Sequence, residues 1–144
     1  MAKLFFNYST MNAGKSTILL QAAHNYEERG MAPYLLTAEI DNRSGKGKIA
    51  SRIGIEKEAD TFNNRLNLYN LLKLKQKSSA IACVLIDEAQ FLTKDQVWQL
   101  ARAVDDLFLP VMCYGLRVDF QGNLFPGSSA LLGLADELKE IKTI

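Results

Sequence analysis

Residues 9–16 (Ser-Thr-Met-Asn-Ala-Gly-Lys-Ser) have the types and spacing of a phosphate-binding loop. They follow the Walker A pattern, except that Ser9 stands where the first glycine is usual. A strand pattern precedes them and a helical pattern follows, so backbone N–H groups and a helix dipole would converge on phosphate oxygens. Lys15 would then reach the β- and γ-phosphates of a nucleoside triphosphate, and the Ser16 hydroxyl would bind Mg²⁺. The alternative is an ordinary helix N-terminus, which Gly14 and Lys15 disfavour on propensity grounds.

Two carboxylates, Asp87 and Glu88, follow an apolar run over residues 81–86 that has the length of a buried strand. Open α/β sheets place their ligand crevice at the carboxyl ends of such strands. We expect this strand to lie beside the strand of the phosphate loop. Asp87 would hold Mg²⁺ directly or through water. Glu88 would accept a proton from an attacking oxygen, because a metal-bound carboxylate is a poor base. A solvated strand end is the alternative.

Strand and helix patterns alternate along the chain, which predicts an α/β fold with a largely parallel sheet and helices on both faces. The predicted strands are 4–8, 34–38, 81–86 and 110–114; the predicted helices are 15–29, 66–77, one that begins at Thr93, and 129–138. Thr93 and Gln96 form a capping-box pattern at the start of the third helix. We expect long loops over residues 39–54, where loop length favours a functional role, and over residues 115–127.

Composition limits the class of protein. With 144 residues and 48% hydrophobic composition, the chain predicts one domain over residues 1–144. It carries 17 Lys and Arg against 16 Asp and Glu, so it lacks the basic surface that a nucleic-acid polymer needs. We expect no signal peptide, no membrane span and a cytoplasmic location, with Cys83 and Cys113 as buried free thiols.

Several motifs together resemble the thymidine kinase family of the bacterial and animal cytosolic type. The resemblance is carried by residues 9–17, by Asp-Glu-Ala-Gln-Phe at 87–91, and by residues 37–43, 51–54 and 113–120, so it covers essentially the whole chain. It implies a P-loop NTPase-like fold and transfer of the γ-phosphoryl group of ATP to the 5′-hydroxyl of thymidine. The product would be thymidine monophosphate, made by nucleotide salvage for DNA synthesis.

The resemblance also implies roles for individual residues. Glu88 matches the base that deprotonates the nucleoside, in agreement with the assignment above. Positions that contact ATP match Ser9, Thr10, Met11, Asn12, Ala13, Gly14, Lys15, Ser16, Thr17, Arg43, Asp87, Glu88, Ala89 and Gln90, with Asp41 also near the phosphates. Positions that contact thymidine match Met11, Phe91, Leu116, Phe120 and Phe125. Each phenylalanine alone is more often a core residue. Ser16 and Asp87 remain the expected ligands of Mg²⁺.

Other family features lie outside these motifs. Family members continue with a cysteine cluster that binds zinc and a lasso-like loop that covers the base, and we expect neither within residues 1–144. Cys83, Cys113 and His24 are too few and too scattered to form a zinc site. Without the loop, water would compete with the 5′-hydroxyl. The family further implies a homotetramer and thymidine triphosphate as a feedback ligand.

Two other functions use the same motifs. In an ATPase module, Glu88 would activate water instead of a nucleoside, and free phosphate would be the product. In a regulator without catalysis, ATP would bind and neither product would form. The nature of the product therefore separates the three functions.

Overall fold

The computed structural model describes residues 1–10, 14–39 and 47–142. In chain order, the strands β1 to β8 of these residues are Leu4–Ser9, Ala32–Ala38, Lys48–Ala50, Glu56–Glu58, Asp60–Phe62, Ile81–Ile86, Val111–Leu116 and Glu137–Ile141. The helices α1 to α4 are Lys15–Glu28, Leu68–Ser78, Lys94–Leu107 and Pro126–Leu134, and a 3₁₀ turn spans Ala89–Phe91.

Six strands form one sheet in the order β5-β2-β6-β7-β1-β8, and every neighbouring pair in it runs parallel. The predicted α/β fold with a parallel sheet is confirmed. The expectation that the strand before Asp87 lies beside the phosphate-loop strand is wrong, because β7 lies between β6 and β1. The carboxyl ends of all six strands nevertheless meet at one edge, as parallel pairing requires.

The sheet is covered on both faces, which also agrees with the sequence prediction. On one face, α2, α3 and α4 contribute Leu72, Leu100 and Leu131 to a core. On the other face, Leu19 of α1 and Ile49 of β3 belong to a second core. Side chains of one strand alternate between these cores, so a strand in the middle of the sheet is apolar throughout.

The start of α3 confirms the predicted capping box. Thr93 Oγ1 accepts from the Gln96 backbone N–H at 3.0 Å, and Gln96 Oε1 accepts from the Thr93 N–H at 3.0 Å. The amide group of Gln96 also donates to the backbone oxygens of Asn63, at 2.7 Å, and Leu66, at 3.0 Å. One buried side chain therefore caps the helix and anchors the segment that follows β5.

Residues 39–54 are not all loop. Residues 48–50 pair antiparallel with residues 56–58 and form the β3–β4 hairpin. Each strand has three residues, which is too short for alternation of apolar and polar side chains to be detected. Residues 40–46 lie outside the described residues, so the prediction of a loop there remains a prediction.

The predicted helix over residues 129–138 is partly wrong. The helix is Pro126–Leu134, and residues 137–141 form β8, which pairs parallel with β1. Asp136, the residue before β8, is hydrogen-bonded to the start of β1. Its backbone N–H donates to Leu4 O at 2.8 Å, and its carboxylate accepts from the Leu4 N–H at 2.8 Å. Pairing with a distant strand therefore overrides the local leucine spacing that favoured a longer helix.

Candidate active site at the carboxyl edge of the sheet

A cavity of about 240 Å³ opens where β1 and β7 end and α1 begins. We call it the phosphate cavity; it is lined by Ser9, Thr10, Gly14, Lys15, Ser16, Thr17, Ala50, Arg52, Glu88 and Leu116. The crevice at the carboxyl ends of the strands is where open α/β sheets bind ligands. The structure therefore brings most of the predicted loop residues together with Glu88.

The phosphate-loop segment enters α1 through Gly14. Its φ of 79° lies in the left-handed region, and it caps the N-terminus of α1 without any side chain. An added Cβ would meet nothing within 4 Å, so conformation and not space requires glycine here. The predicted amide contacts of Met11, Asn12 and Ala13 lie outside the described residues.

Ser9 occupies the position of the first Walker A glycine. The residue is 3% exposed and lines the phosphate cavity, and its hydroxyl has no hydrogen-bond partner among the described residues. An unpaired buried hydroxyl is costly unless something accepts or donates to it. It fits a site that binds an oxygen-rich anion such as a triphosphate.

Lys15 joins the phosphate loop to the acidic pair. Its Nζ lies 2.7 Å from Asp87 Oδ1 and 3.0 Å from Glu88 Oε1, and its side chain is 12% exposed. Burial opposes the charge of this ammonium, but attraction by Asp87 and then Glu88 outweighs burial, so the pKa of Lys15 is raised. The contacts with the two carboxylates thus favour the charged form of Lys15 at the wall of the phosphate cavity.

Asp87 has the surroundings of a metal-binding carboxylate. Its Oδ2 lies 3.4 Å from Ser16 Oγ, and its backbone N–H donates to Leu36 O at 2.8 Å. Burial raises the pKa of Asp87 and outweighs the lowering by Lys15, so a further cation beside this carboxylate would favour its ionised form. A hydroxyl and a carboxylate oxygen are ligands that Mg²⁺ takes together with water and phosphate oxygens.

The described residues contain no group of three or more His, Cys, Asp and Glu side chains that could hold a metal ion. A Mg²⁺ site completed by phosphates does not need such a cluster. The His24 side chain lies on the exposed side of α1, and its Nε2 is 3.0 Å from Glu28 Oε1. Cys83 and Cys113 are buried in separate cores.

Glu88 has an uncommon backbone conformation. Its φ of 57° and ψ of 40° place a residue other than glycine in the left-handed region, just before the 3₁₀ turn. Such strain clusters at functional sites, where the surrounding structure must hold it in place. Its two carboxylate oxygens have different partners: Oε1 accepts from Lys15 and Oε2 accepts from Gln90 Nε2 at 2.5 Å.

The predicted thymidine contacts are only partly assembled. Phe91 and Phe125 form an edge-to-face pair with centroids 5.7 Å apart, and both line a second cavity of about 620 Å³. Leu116 lines the phosphate cavity instead. Phe120 is 84% exposed and lines neither cavity. Positions 11, 41 and 43 lie outside the described residues, so the roles of Met11, Asp41 and Arg43 stay predictions.

Sequence reasoning gave no role to Arg52. This residue lies between β3 and β4 and lines the phosphate cavity together with Ala50 of β3. The Ser-Arg-Ile-Gly stretch at 51–54 carried part of the family resemblance and was the available signal. A second cation beside Lys15 suits a site for a polyanion.

Comparisons with known proteins show the family to which the sequence is similar. The family model described as Thymidine kinase matches residues 2–144. A protein named thymidine kinase from Jannaschia sp. (strain CCS1) is 67% identical over 144 residues, which are 100% of this chain and 74% of that protein. Proteins of the same name from Ruegeria pomeroyi and Rhizobium meliloti are 65% and 61% identical, again over 100% of this chain and over 73% and 75% of their own lengths. In the described parts of the chain, no helix has the length and apolar character to cross a membrane.

Proposed function

Because this chain belongs to the thymidine kinase family and is an enzyme that phosphorylates thymidine, we propose that the phosphate cavity binds ATP and that Glu88 is the catalytic base. One observation supports this assignment most strongly. Lys15 Nζ lies within 3.0 Å of both Asp87 and Glu88, although the two adjacent acids are 72 and 73 residues from the lysine in the chain. The proposed phosphate-binding cation is thus one hydrogen bond from the proposed metal ligand and one from the proposed base.

The triphosphate would lie over the segment 9–17 and the N-terminus of α1. Backbone N–H groups from Gly14 onward and the helix dipole would attract the anion, and the Ser9 hydroxyl, which has no partner among the described residues, would supply a further donor. Lys15 would turn from the carboxylates to the β- and γ-phosphates. Arg43, by family resemblance, and Arg52, from its place in the cavity, would neutralise charge on the transferred group.

Ser16 and Asp87 would hold Mg²⁺, because their oxygen atoms lie 3.4 Å apart and Ser16 lines the phosphate cavity. When bound, Mg²⁺ would supply positive charge that offsets the negative charge of the triphosphate. Asp87 is 5% exposed, so a second cation would replace the charge that Lys15 withdraws. A proposed ATP contact of the turn, Ala89, follows directly on these carboxylates.

Glu88 would take the proton of the thymidine 5′-hydroxyl while that oxygen attacks the γ-phosphorus. Its carboxylate is 32% exposed, against 7% for Asp87, so Glu88 is the acid that a substrate hydroxyl can reach. Proton transfer by a positioned carboxylate contributes about 10²- to 10⁴-fold to a rate. The remaining acceleration would come from positioning and charge neutralisation.

The thymine ring would be bound by Met11, Phe91, Leu116, Phe120 and Phe125. The edge-to-face pair of Phe91 and Phe125 supports an aromatic base site next to the 3₁₀ turn. Exposed Phe120 would then have to close over the nucleoside. Residues 1–144 would act as one kinase domain.

Three further features are proposed from the family alone. They are a homotetramer, inhibition by thymidine triphosphate and a cytoplasmic location. The segments that bind zinc and cover the base in the family would complete the pocket. An ATPase module or a catalytically silent regulator is not favoured, since the matched relatives are named thymidine kinases.

The substitution Glu88→Gln tests the role of the base. It keeps the size of the side chain and one acceptor oxygen but removes the carboxylate that would take the proton, so thymidine monophosphate formation should fall about 10²- to 10⁴-fold. Binding of MgATP should stay within a few fold of the wild type. Labelled ATP with separation of nucleoside monophosphate from free phosphate measures both products.

Glu140→Gln is the matched control, because Glu140 is exposed on β8, outside the residues that line the phosphate cavity. Its turnover should equal that of the wild type. Thymidine turnover of Glu88→Gln within a few fold of the wild type would rule out Glu88 as the base. Free phosphate as the only wild-type product would favour the ATPase.

A further inference from the structure

We propose that Gln90 is a positioning residue that holds the Glu88 carboxylate for proton transfer, an inference that rests on the proposed function of Glu88. Gln90 is 2% exposed and lies in the 3₁₀ turn between the phosphate cavity and the second cavity. It lines the second cavity and is not among the residues that line the phosphate cavity. Its location therefore favours contact with Glu88 over contact with phosphate.

The orientation of the Gln90 amide follows from its partners. The backbone N–H of Leu116 can only donate, and it donates to Gln90 Oε1 at 3.1 Å. The oxygen must therefore face Leu116, which leaves the NH₂ group facing Glu88. Nε2 lies 2.5 Å from Glu88 Oε2, the oxygen that Lys15 does not bind.

Two glycines enclose the turn that carries Gln90. A Cβ at Gly115 would lie 2.7 Å from Gln90 Oε1 and 2.9 Å from Gln90 N. A Cβ at Gly127 would lie 2.6 Å from Leu92 O and 2.7 Å from Ala89 O. Real Cβ atoms essentially never approach that closely, so a side chain at either position would displace the turn.

Hydrogen bonds also hold the end of β7 next to this 3₁₀ turn. The hydroxyl of buried Ser128 donates to Leu116 O, while the N–H of Leu116 is bound by Gln90. Ser128 belongs to α4 and directly follows Gly127, the glycine of this helix that lies against the 3₁₀ turn. The path from α4 through Leu116 and Gln90 to Glu88 consists of partly buried hydrogen bonds, which gain strength where the dielectric is low.

This arrangement assigns separate tasks to the two oxygens of Glu88. Oε1 is bound by Lys15 and is vacated when Lys15 turns to the phosphates. Oε2 stays bound by Gln90, so the carboxylate keeps its plane and presents Oε1 to the 5′-hydroxyl. The O–H bond of the nucleoside then breaks toward Oε1 while its oxygen forms the new bond to phosphorus and the bond to the leaving diphosphate breaks.

The first test compares Gln90→Glu with Gln90→Met. Glutamate can still accept from Leu116 N–H but cannot donate to Glu88, whereas methionine does neither. Positioning predicts that both lower kcat for thymidine by about 10²-fold, the effect of a misplacement of roughly 1 Å. The KM for ATP in Gln90→Met should stay within about threefold.

Two outcomes would overturn this role. If Gln90→Glu retained wild-type kcat while Gln90→Met lost it, Gln90 would only brace Leu116. If Gln90→Met raised the KM for ATP tenfold with kcat unchanged, Gln90 would contact the nucleotide. Thermal unfolding of each variant identifies losses of kcat that come from a loss of folded protein.

A spectroscopic readout makes the proposal independent of turnover. In ¹⁵N-labelled wild type, the Gln90 side-chain amide proton that faces Glu88 should resonate downfield of the other glutamine amides, with and without MgATP. Its signal is assigned by its absence in Gln90→Met, and it should move upfield in Glu88→Ala. An unchanged position in Glu88→Ala would refute the hydrogen bond. A downfield signal in a protein without thymidine turnover would instead reject the proposed function and leave the contact intact.

Discussion

Lys15 contacts two carboxylates that differ in their surroundings. Asp87 is buried and near the Ser16 hydroxyl, whereas Glu88 is more exposed and bound by the Gln90 amide. The first arrangement suits a metal ligand and the second suits a base with one oxygen directed at a substrate. The sequence predicted the same division of roles, because a metal-bound carboxylate is a poor base.

Gly115→Ala tests how tightly the 3₁₀ turn must fit. The added Cβ would meet Gln90 backbone and side chain within 3 Å, so the turn should shift and carry Glu88 with it. We expect a loss of about 1–3 kcal/mol of unfolding free energy. The kcat for thymidine should fall by at least about tenfold. Denaturant unfolding and steady-state kinetics measure the two effects.

Gly133→Ala is the matched control for Gly115→Ala. Its Cβ would meet nothing within 4 Å, and the position is in helix α4. Alanine there should stabilise the protein by about 0.5–1 kcal/mol without changing kcat. Equal kcat in the two variants would mean that the close approach at Gly115 does not position Glu88.

At the scale of single residues, the sequence was sufficient to predict residues that belong to a local motif. Lys15, Ser16, Asp87 and Glu88 were predicted and lie together, since each belongs to a contiguous pattern. The fit of Gly115 against Gln90 joins segments far apart in the chain, so one sequence gives no local sign of it. Phe120 had the family pattern, yet its exposure of 84% depends on a loop conformation that pattern does not specify.

At the scale of elements, β7 lies between β1 and β6, so the phosphate loop and the acidic pair follow strands that are not neighbours. Neighbouring strands are about 4.8 Å apart, so β1 and β6 are separated by roughly 10 Å. The side chains of Lys15, at the start of α1, and Asp87, after β6, span that gap together and meet at 2.7 Å. A strand order predicted from motifs alone could not tell adjacency from this one-strand gap.

Elements with strong local signals were predicted well. The continuous apolar run of β6 and the capping box of α3 agree with the structure. β3, β4 and β5 were missed because strands of three residues contain less than two periods of alternation. β8 was missed because four of its five residues are exposed and only pairing with β1 defines it.

Because Gln96 has more partners than Thr93, we expect substitutions of these two residues at the start of α3 to lower the free energy of unfolding by different amounts. Thr93→Ala should cost about 0.5–2 kcal/mol through the lost cap. Gln96→Ala should cost more, because it also leaves the carbonyl oxygens of Asn63 and Leu66 without their donor. Denaturant unfolding measures both, with exposed Asp105→Ala as a control expected within about 0.5 kcal/mol of wild type. A larger loss for Thr93→Ala than for Gln96→Ala would contradict this order.

In the whole molecule, the sheet separates two cores, and different elements cover its two faces. In the described part of the chain, α2, α3 and α4 pack on one face, whereas α1 and the β3–β4 hairpin cover the other. Cys113 belongs to the first core and Cys83 to the second. Each face of the sheet thus contains one thiol, and the face with less cover should open at a lower free energy.

Thiol alkylation should therefore report the two faces separately. Burial raises the pKa of Cys83 from 9.0 to about 11, although a hydrogen bond with Tyr26 opposes this, and burial alone raises the pKa of Cys113 further. Two pKa units lower the thiolate fraction about 100-fold, so neither thiol should react with iodoacetamide in the native protein near pH 8. Because the thiols of the unfolded protein ionise at a lower pH than the buried thiols, the free energy of unfolding should fall as the pH rises from 9 to 11. In increasing denaturant, peptide mass spectrometry should detect alkylation of Cys83 before Cys113. Simultaneous alkylation would show that both cores open as one unit.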